Sequence, residues 1–186
     1  VIDTTNNVTN VVGADNNVGR IGTNSNHDLV FRTNDSEKMR LLSGGGLTFN
    51  GDTAAANALD DYEEGTWTPS LNSNETYAHR FGNYVKVGNL VMAKFDVSIN
   101  AINSGSTNAL YGFPFTAYNS GTVYSGCVSY YSGISQSVYS LDFYLINGQT
   151  YAYFTGHTVA SGNIGNAINV WQNSSRILGT VVYRST

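Results

Sequence analysis

From Thr66 onward, apolar residues tend to recur at every second position, and this alternation limits the possible folds more than any other feature. The run 84–87 enters the pair Gly88-Asn89, and residues 90–99 continue the pattern. Such a pattern predicts a hairpin with a two-residue turn. A second hairpin is predicted where residues 141–146 reach Asn147-Gly148, a pair typical of type I′ turns.

The same region contains further strand signals between turn-forming residues. Strands are predicted at 107–113, 121–130, 164–172 and 176–184. Seven or eight short antiparallel strands indicate an antiparallel β-sandwich, jelly-roll-like, over residues 66–186. We expect this part to form a head domain.

Residues 1–51 have a different composition, rich in Asn, Thr and Gly. Apolar residues come in bursts of one to three between turn formers such as Asn16-Asn17 and Gly44-Gly45-Gly46. These bursts predict very short strands with tight turns. Ordering a backbone costs about 1 to 2 kcal/mol per residue, which so little apolar surface does not offset. The segment is therefore either disordered or completed by other chains. Disordered segments are usually poorer in β-branched and aromatic residues, so we expect an intertwined shaft completed by other copies, as a homotrimer.

Between these parts, residues 52–64 predict one short helix, and residues 52–65 form a helical joint between shaft and head. Asp52 or Thr53 is placed to cap its N-terminus, an alanine run favours it, and Gly65 ends it. The apolar residues Ala55, Leu59 and Tyr62 would form one stripe on its surface.

Charge is distributed unevenly, and this excludes several classes of partner. Residues 1–96 carry a net charge of −5 and residues 97–186 one of +1, which sum to the −4 of the whole chain. Neither part offers the basic field that attracts nucleic acid or anionic membranes. No apolar run approaches the roughly 18 residues of a membrane span. Cys127 is the only cysteine, so the chain has no internal disulfide and no cysteine pair for zinc.

Four segments together resemble a known family. They are GRIGTNSNHDLVFRTNDSEKMRL (19–41), LDDYEEGTWTPSL (59–71), GNYVKVGNLVMAKFDV (82–97) and YGFPFTA (111–117). In this order they are similar to the C-terminal region of bacteriophage tail fibres and tail-tip proteins. The resemblance implies a trimeric fibre located in the virion, with a distal head that contacts the bacterial surface.

One departure from that family affects the expectation for the C-terminal part. Many of its members continue into a self-cleaving chaperone domain that catalyses trimer assembly, and nothing after Thr66 resembles it. We therefore expect a head in its place. The implied partners are the chain itself, other virion tail proteins, and a bacterial cell-surface glycan or outer-membrane protein. Because the chain does not begin with Met, we expect it to be a fragment or a processed product.

Tyrosines carry the main binding hypothesis, since ten of the 13 follow residue 96 among Ser, Asn and Gly. Such rings bind sugars by stacking, while amide and hydroxyl groups fix orientation. The predicted receptor-binding residues are Tyr118, Asn119, Tyr130, Tyr131, Tyr139 and Trp171. Tyr118, Tyr130 and Tyr131 fall at predicted loops, where we expect exposure. Tyr151 and Tyr153 share one strand face, so we expect them in the core or a subunit interface.

A carboxylate cluster formed by Asp60, Asp61, Glu63 and Glu64 is the densest charged group. Glycoside cleavage needs two carboxylates facing each other about 5 to 10 Å apart, whereas these acids are nearly consecutive. We expect no catalytic residues and no cofactor. A Ca²⁺ site built from three copies of the cluster is one alternative, and a solvated or salt-bridging corner is the other.

The sequence therefore predicts a tail-fibre fragment that adsorbs to a bacterial receptor by multivalent binding and is not an enzyme. Three other interpretations stay open. They are a purely structural connector of the virion tail, a glycan depolymerase, and a secreted bacterial lectin.

Overall fold

The computed structural model describes residues 2–72, 74–102, 108–158, 164–165 and 168–186, and it divides into two compact units, Val1–Asp61 and Tyr62–Thr186. Both consist of antiparallel strands, which confirms the predicted mainly β class. The strands are β1 (Ile2–Asp3), β2 (Val8–Asp15), β3 (Val18–Thr23), β4 (Leu29–Thr33), β5 (Ser36–Leu41), β6 (Leu47–Phe49), β7 (Tyr62–Trp67), β8 (Glu75–Val87), β9 (Leu90–Ile102), β10 (Ala109–Tyr111), β11 (Tyr124–Ser132), β12 (Val138–Leu145), β13 (Tyr151–Thr158), β14 (Ile164–Gly165) and β15 (Arg176–Arg184).

In the N-terminal unit, Val1–Asp61, the predicted short strands and tight turns are confirmed. Two three-stranded sheets form, with strand orders β1-β2-β3 and β4-β5-β6. The turn residues Asn16 and Asn17 have φ of 49° and 64°, the left-handed region that asparagine tolerates. Among residues whose burial the structure describes, Thr48 alone is buried in this unit. Local turn chemistry therefore produces these strands without an apolar core.

One ionic network ties the second of these sheets together. The Arg40 guanidinium donates to both oxygens of Glu37, at 2.9 and 2.6 Å, and to Asp28 Oδ2 at 2.7 Å. Asp28 Oδ1 also accepts the Ser43 amide at 2.8 Å. The amide of Ser43 and then Arg40 lower the pKa of Asp28, and Arg40 lowers that of Glu37. These acids and the arginine belong to the segment 19–41 that carries the family resemblance, and the sequence gave no sign of this pairing.

The helix predicted over 52–64 is wrong. A single 3₁₀ turn, Ala55–Asn57, lies there, and residues 62–64 already belong to β7. Its N-cap is Ala54 and no side chain caps it, so the capping role predicted for Asp52 or Thr53 is also wrong. Asp52 instead accepts the amide of Ala54, ahead of the turn, at 2.8 Å. The chain then extends because Leu59 exchanges two backbone hydrogen bonds with Leu47, at 2.8 and 3.0 Å. A helix this short is marginal alone, and acids at its C-terminus oppose its dipole.

The C-terminal unit, Tyr62–Thr186, is built on one antiparallel sheet. Its strand order is β10-β13-β12-β11-β15-β9-β8-β7, and β14 pairs with β13. Just beyond β7, Ser70 exchanges two backbone hydrogen bonds with Tyr111 of β10, at 2.8 and 3.1 Å. The two ends of the sheet therefore meet, and the curled sheet encloses a core. This unit begins at Tyr62, earlier than the predicted boundary at 66.

Alternation along the strands decides which side chains enter that core. In β9, Val91, Phe95 and Ile99 are at most 1% exposed, while Met92 and Lys94 between them face outward. Aromatic rings from different strands meet inside. The Phe95 ring lies 5.2 Å from that of Phe143 and 6.4 Å from that of Phe154, in edge-on contacts. Such pairs add about 0.5 to 1.5 kcal/mol beyond their burial.

Both predicted hairpins are confirmed, as is the strand predicted at 176–184. The type I′ turn predicted at Asn147-Gly148 is wrong: that type needs positive φ at both residues, and only Gly148 has it, at 71°. The strand predicted at 164–172 is mostly wrong, since Ile164–Gly165 alone is a strand. Residues 168–172 are not in a strand, and 166–167 lie outside the described residues.

Candidate functional site

Four tyrosines form a continuous row on the outer face of the sheet, the face opposite the core. We call Tyr111, Tyr144, Tyr151 and Tyr153 the tyrosine row. Ring centroids lie 5.3 Å apart for Tyr111 and Tyr151, 5.5 Å for Tyr151 and Tyr153, and 6.0 Å for Tyr153 and Tyr144. All four are partly exposed. Burial, followed by the neighbouring Tyr153, raises the pKa of Tyr151.

Register explains why these rings meet. Tyr111 lies opposite Tyr151 across β10 and β13, and Tyr153 lies opposite Tyr144 across β13 and β12. Directly opposite residues in antiparallel strands share a face. Ala152 and Phe154, which alternate with the tyrosines of β13, are fully buried. The expectation that Tyr151 and Tyr153 lie in the core is therefore wrong, while a place in a subunit interface stays a prediction.

A cavity of about 380 Å³ opens beside this row on the same face, and we call it the outer cavity. Its lining includes Ser125 of β11, Asp142 and Tyr144 of β12, and Thr155 and His157 of β13. Tyr144 lies opposite Ser125, and Asp142 lies opposite Thr155. An aromatic ring, hydroxyls and a carboxylate thus converge on one concave surface, the usual composition of a small-ligand site.

The predicted receptor-binding residues do not converge on one place. Tyr118 and Asn119 lie near the start of β11, where Tyr124 donates a hydrogen bond to the Tyr118 carbonyl at 3.1 Å. Tyr130 lies six residues beyond Tyr124 on β11, which is a distance of about 20 Å at the usual rise per residue. No single ligand of ordinary size contacts both ends.

At the first of these ends, Tyr118 is 40% exposed, and the Arg184 guanidinium lies 4.5 Å from its ring centroid. Asn147 Nδ2 donates to Asn119 Oδ1 at 2.7 Å. These contacts fix both predicted residues in place while leaving them accessible.

At the other end, Tyr130 and Tyr139 are 50% and 75% exposed. Tyr131 is partly buried against the core, and its hydroxyl donates to the Val138 carbonyl. Trp171 is 2% exposed and packs edge-on to Phe154 at 5.3 Å. Trp171 is a core residue with no ring surface to offer a receptor, and the loop positions expected for Tyr130 and Tyr131 are wrong, since both lie in β11.

An ion pair lies next to Tyr130 on the outer face. Arg176 binds Asp96 through two hydrogen bonds of 3.0 and 2.7 Å, and His79 Nε2 lies 3.3 Å from Asp96 Oδ2. The Arg176 guanidinium also lies 5.9 Å from the Tyr130 ring centroid. Hydrogen bonds from Arg176 lower the pKa of Asp96 in spite of its partial burial. The Asp96 carboxylate is therefore held by Arg176 in a structural ion pair.

Two acids of the carboxylate cluster accept hydrogen bonds from tyrosines. Glu63 accepts a hydrogen bond from Tyr84, and Glu64 accepts one from Tyr62 at 3.0 Å. Among the described residues, no three His, Cys, Asp or Glu side chains are placed to hold a metal ion together. The calcium alternative, which needs three chains, stays a prediction.

Comparisons of this chain with protein-family models, with curated proteins and with solved structures found no match. No helix in the described part of the chain has the length and apolar character needed to cross a membrane.

Proposed function

We propose that this chain is a distal part of a bacteriophage tail fibre, located in the virion. It assembles as a homotrimer and adsorbs to a bacterial surface glycan by multivalent binding without catalysis. The observation that carries the binding role is the tyrosine row beside the outer cavity. The family resemblance of residues 19–117 supports the virion context.

Trimer formation is supported by the apolar surface of the N-terminal unit. Val12, Ile21 and Val18 are 83%, 71% and 57% exposed in the single chain. Exposed apolar residues at this density are typical of surfaces that other chains cover. Three copies wound together would bury them, at about 25 cal/mol for each Å² removed from water.

The proposal includes a jelly-roll-like fold for the head. Pairing of β9 with β15 and of β10 with β13 joins strands far apart in sequence. Such long connections between antiparallel strands are typical of Greek-key and jelly-roll architectures.

Non-catalytic binding fits the lining of the outer cavity. Asp142 is the one acidic residue among the described residues that line it. Glycoside hydrolysis needs a second carboxylate across the bond that is cleaved. Affinity would instead come from three heads on one axis, because linked sites bind at a high effective concentration.

A binding assay on intact candidate host cells tests this function. Purified protein is added to untreated cells, to cells oxidised with periodate and to protease-treated cells. We expect periodate alone to abolish binding, since it destroys vicinal diols of sugars. Loss with protease alone would indicate an outer-membrane protein as the receptor. Release of oligosaccharide from the cell-surface polysaccharide would overturn the non-catalytic mechanism.

A structural connector is the second candidate, and one surface favours it. Leu90, Met92 and Val182 are 55%, 50% and 51% exposed on adjacent strands β9 and β15, where Met92 lies opposite Val182. Such a patch suits packing against other virion proteins or other copies. Absence of binding to every candidate host would favour this function.

A further inference from the structure

We infer that the outer cavity binds one neutral pyranose unit of the receptor glycan, with Tyr144 stacking on the sugar and Asp142 accepting its hydroxyls. This inference rests on the proposed function, because it names the site and the class of sugar. The site that it names is separate from the binding residues predicted from the sequence, which lie near the two ends of β11 or in the core.

The shape of the outer cavity suits a ligand of this size. Its volume of about 380 Å³ falls within the range of small-molecule sites. The short side chains of Ser125 and Thr155 flank the longer Tyr144 and Asp142 in register, which deepens the surface. A single sugar ring fills part of this volume and leaves room for its neighbours in a chain.

Asp142 has the acceptor capacity that sugar hydroxyls need. Its carboxylate is exposed, and no hydrogen bond or ion pair joins it to another residue in the part of the chain that the structure describes. An ionised carboxylate accepts through two oxygens, and hydrogen bonds to a charged acceptor are about twice as strong as neutral ones. Two adjacent hydroxyls of a pyranose match such an acceptor.

Tyr144 supplies the stacking surface at a low entropic cost. Its ring packs against Tyr153 with centroids 6.0 Å apart and planes at 56°, which restricts its rotamers before any ligand binds. Tyr144 and Asp142 are two residues apart on one face of β12, about 7 Å along the strand. One sugar ring therefore reaches both side chains.

Charge selects the class of sugar. Asp142 is the one acidic side chain among the described residues of the lining, and neither Lys nor Arg is among them. A carboxylate in the cavity repels uronic and sialic acids and favours neutral sugars.

Saturation-transfer NMR on the full chain tests the site directly. The panel contains the methyl glycosides of glucose, galactose, mannose and rhamnose, N-acetylglucosamine, and the anionic glucuronic and sialic acids. We expect transfer to at least one neutral sugar and to neither acid. Asp142→Asn and Tyr144→Ala should each weaken that binding by about tenfold.

Two matched controls distinguish the cavity from general surface effects. Tyr62→Ala removes a tyrosine that is 66% exposed and lies outside the cavity, and Glu64→Gln neutralises an exposed acid outside the cavity. Both should bind sugar as the unmodified chain does, and thermal unfolding should show that all four variants are folded.

The inference is overturned if no neutral sugar receives saturation, if an acid is preferred, or if both cavity variants bind normally. Adsorption of the same variants to intact cells separates this failure from failure of the proposed function. Adsorption that persists in both cavity variants would leave the function standing, with its site elsewhere. If the unmodified chain adsorbs to no candidate host, the proposed function itself fails.

Discussion

The two units of this chain use the same antiparallel strands but differ in what stabilises them. In the C-terminal unit, rings such as Phe95, Phe143 and Phe154 are at most 1% exposed and meet inside a curled sheet. In the N-terminal unit, Val12 and Ile21 face solvent, and an ionic network around Arg40 holds one sheet. Turn residues are therefore enough to define strands, but a core is needed to make a unit stable alone.

The largest expected effect on stability comes from removing an aromatic ring from the core of the C-terminal unit. Phe143→Ala should lower the free energy of unfolding of the C-terminal unit by about 3 to 5 kcal/mol, because it leaves a cavity among Phe95, Phe113 and Phe154. Urea denaturation followed by tryptophan fluorescence measures this, since both tryptophans belong to this unit. A loss below 1 kcal/mol would show that this core is not what stabilises the unit.

A pair of glycine substitutions contrasts crowding in the two units. An alanine Cβ at Gly82 would lie 2.4 Å from Trp67 Nε1, which donates to the Lys94 carbonyl at 3.1 Å. Gly82→Ala should therefore cost about 1 to 3 kcal/mol by overpacking. At Gly13 of β2 nothing lies within 4 Å of such a Cβ, so Gly13→Ala is the matched control and should be tolerated. If urea denaturation shows that the two substitutions lower the free energy of unfolding equally, this difference in crowding is contradicted.

Acid should destabilise the C-terminal unit through Asp96. Its pKa is lower in the folded protein than the usual 3.8, chiefly because of Arg176. The stabilisation is therefore present above pH 3.8 and is lost as pH falls through the lower folded pKa. Thermal unfolding between pH 6 and pH 2 measures this loss. In Asp96→Asn the melting temperature should fall less steeply with acid, and an unchanged slope would rule out this role.

The smallest expected effect is that of Tyr139→Ala. The side chain is 75% exposed, so the free energy of unfolding should change by less than about 0.5 kcal/mol. The same denaturation assay checks it. A loss above 1 kcal/mol would mean that Tyr139 packs against something in the assembled protein, as a subunit interface would require.

Local sequence patterns correctly predicted the turns and strands that depend only on residues close together in the chain. The Gly88-Asn89 hairpin and strand β15 follow from alternation and turn residues, and both are present. The turn at Asn16-Asn17 follows from the tolerance of asparagine for positive φ. These features need no knowledge of distant residues.

What the sequence did not predict depends on distant pairing. The tyrosine row exists because β10 pairs with β13, so that Tyr111 meets Tyr151 from forty positions away. Trp171 looks like an exposed binding residue among Asn and Gln, yet contact with Phe154 buries it. The predicted helix was wrong because Leu47 and β8 offered residues 59–67 better backbone partners.

The most direct test of the central contrast is the mass of the purified chain in solution, measured by light scattering after gel filtration. We expect a mass three times the 20.0 kDa of one chain, and a return to the mass of one chain when Val12→Asp and Ile21→Asp place charges on the exposed apolar surface. A monomeric unmodified chain whose residues 2–50 are protected from amide hydrogen exchange would contradict it, because that unit would then be stable without other copies.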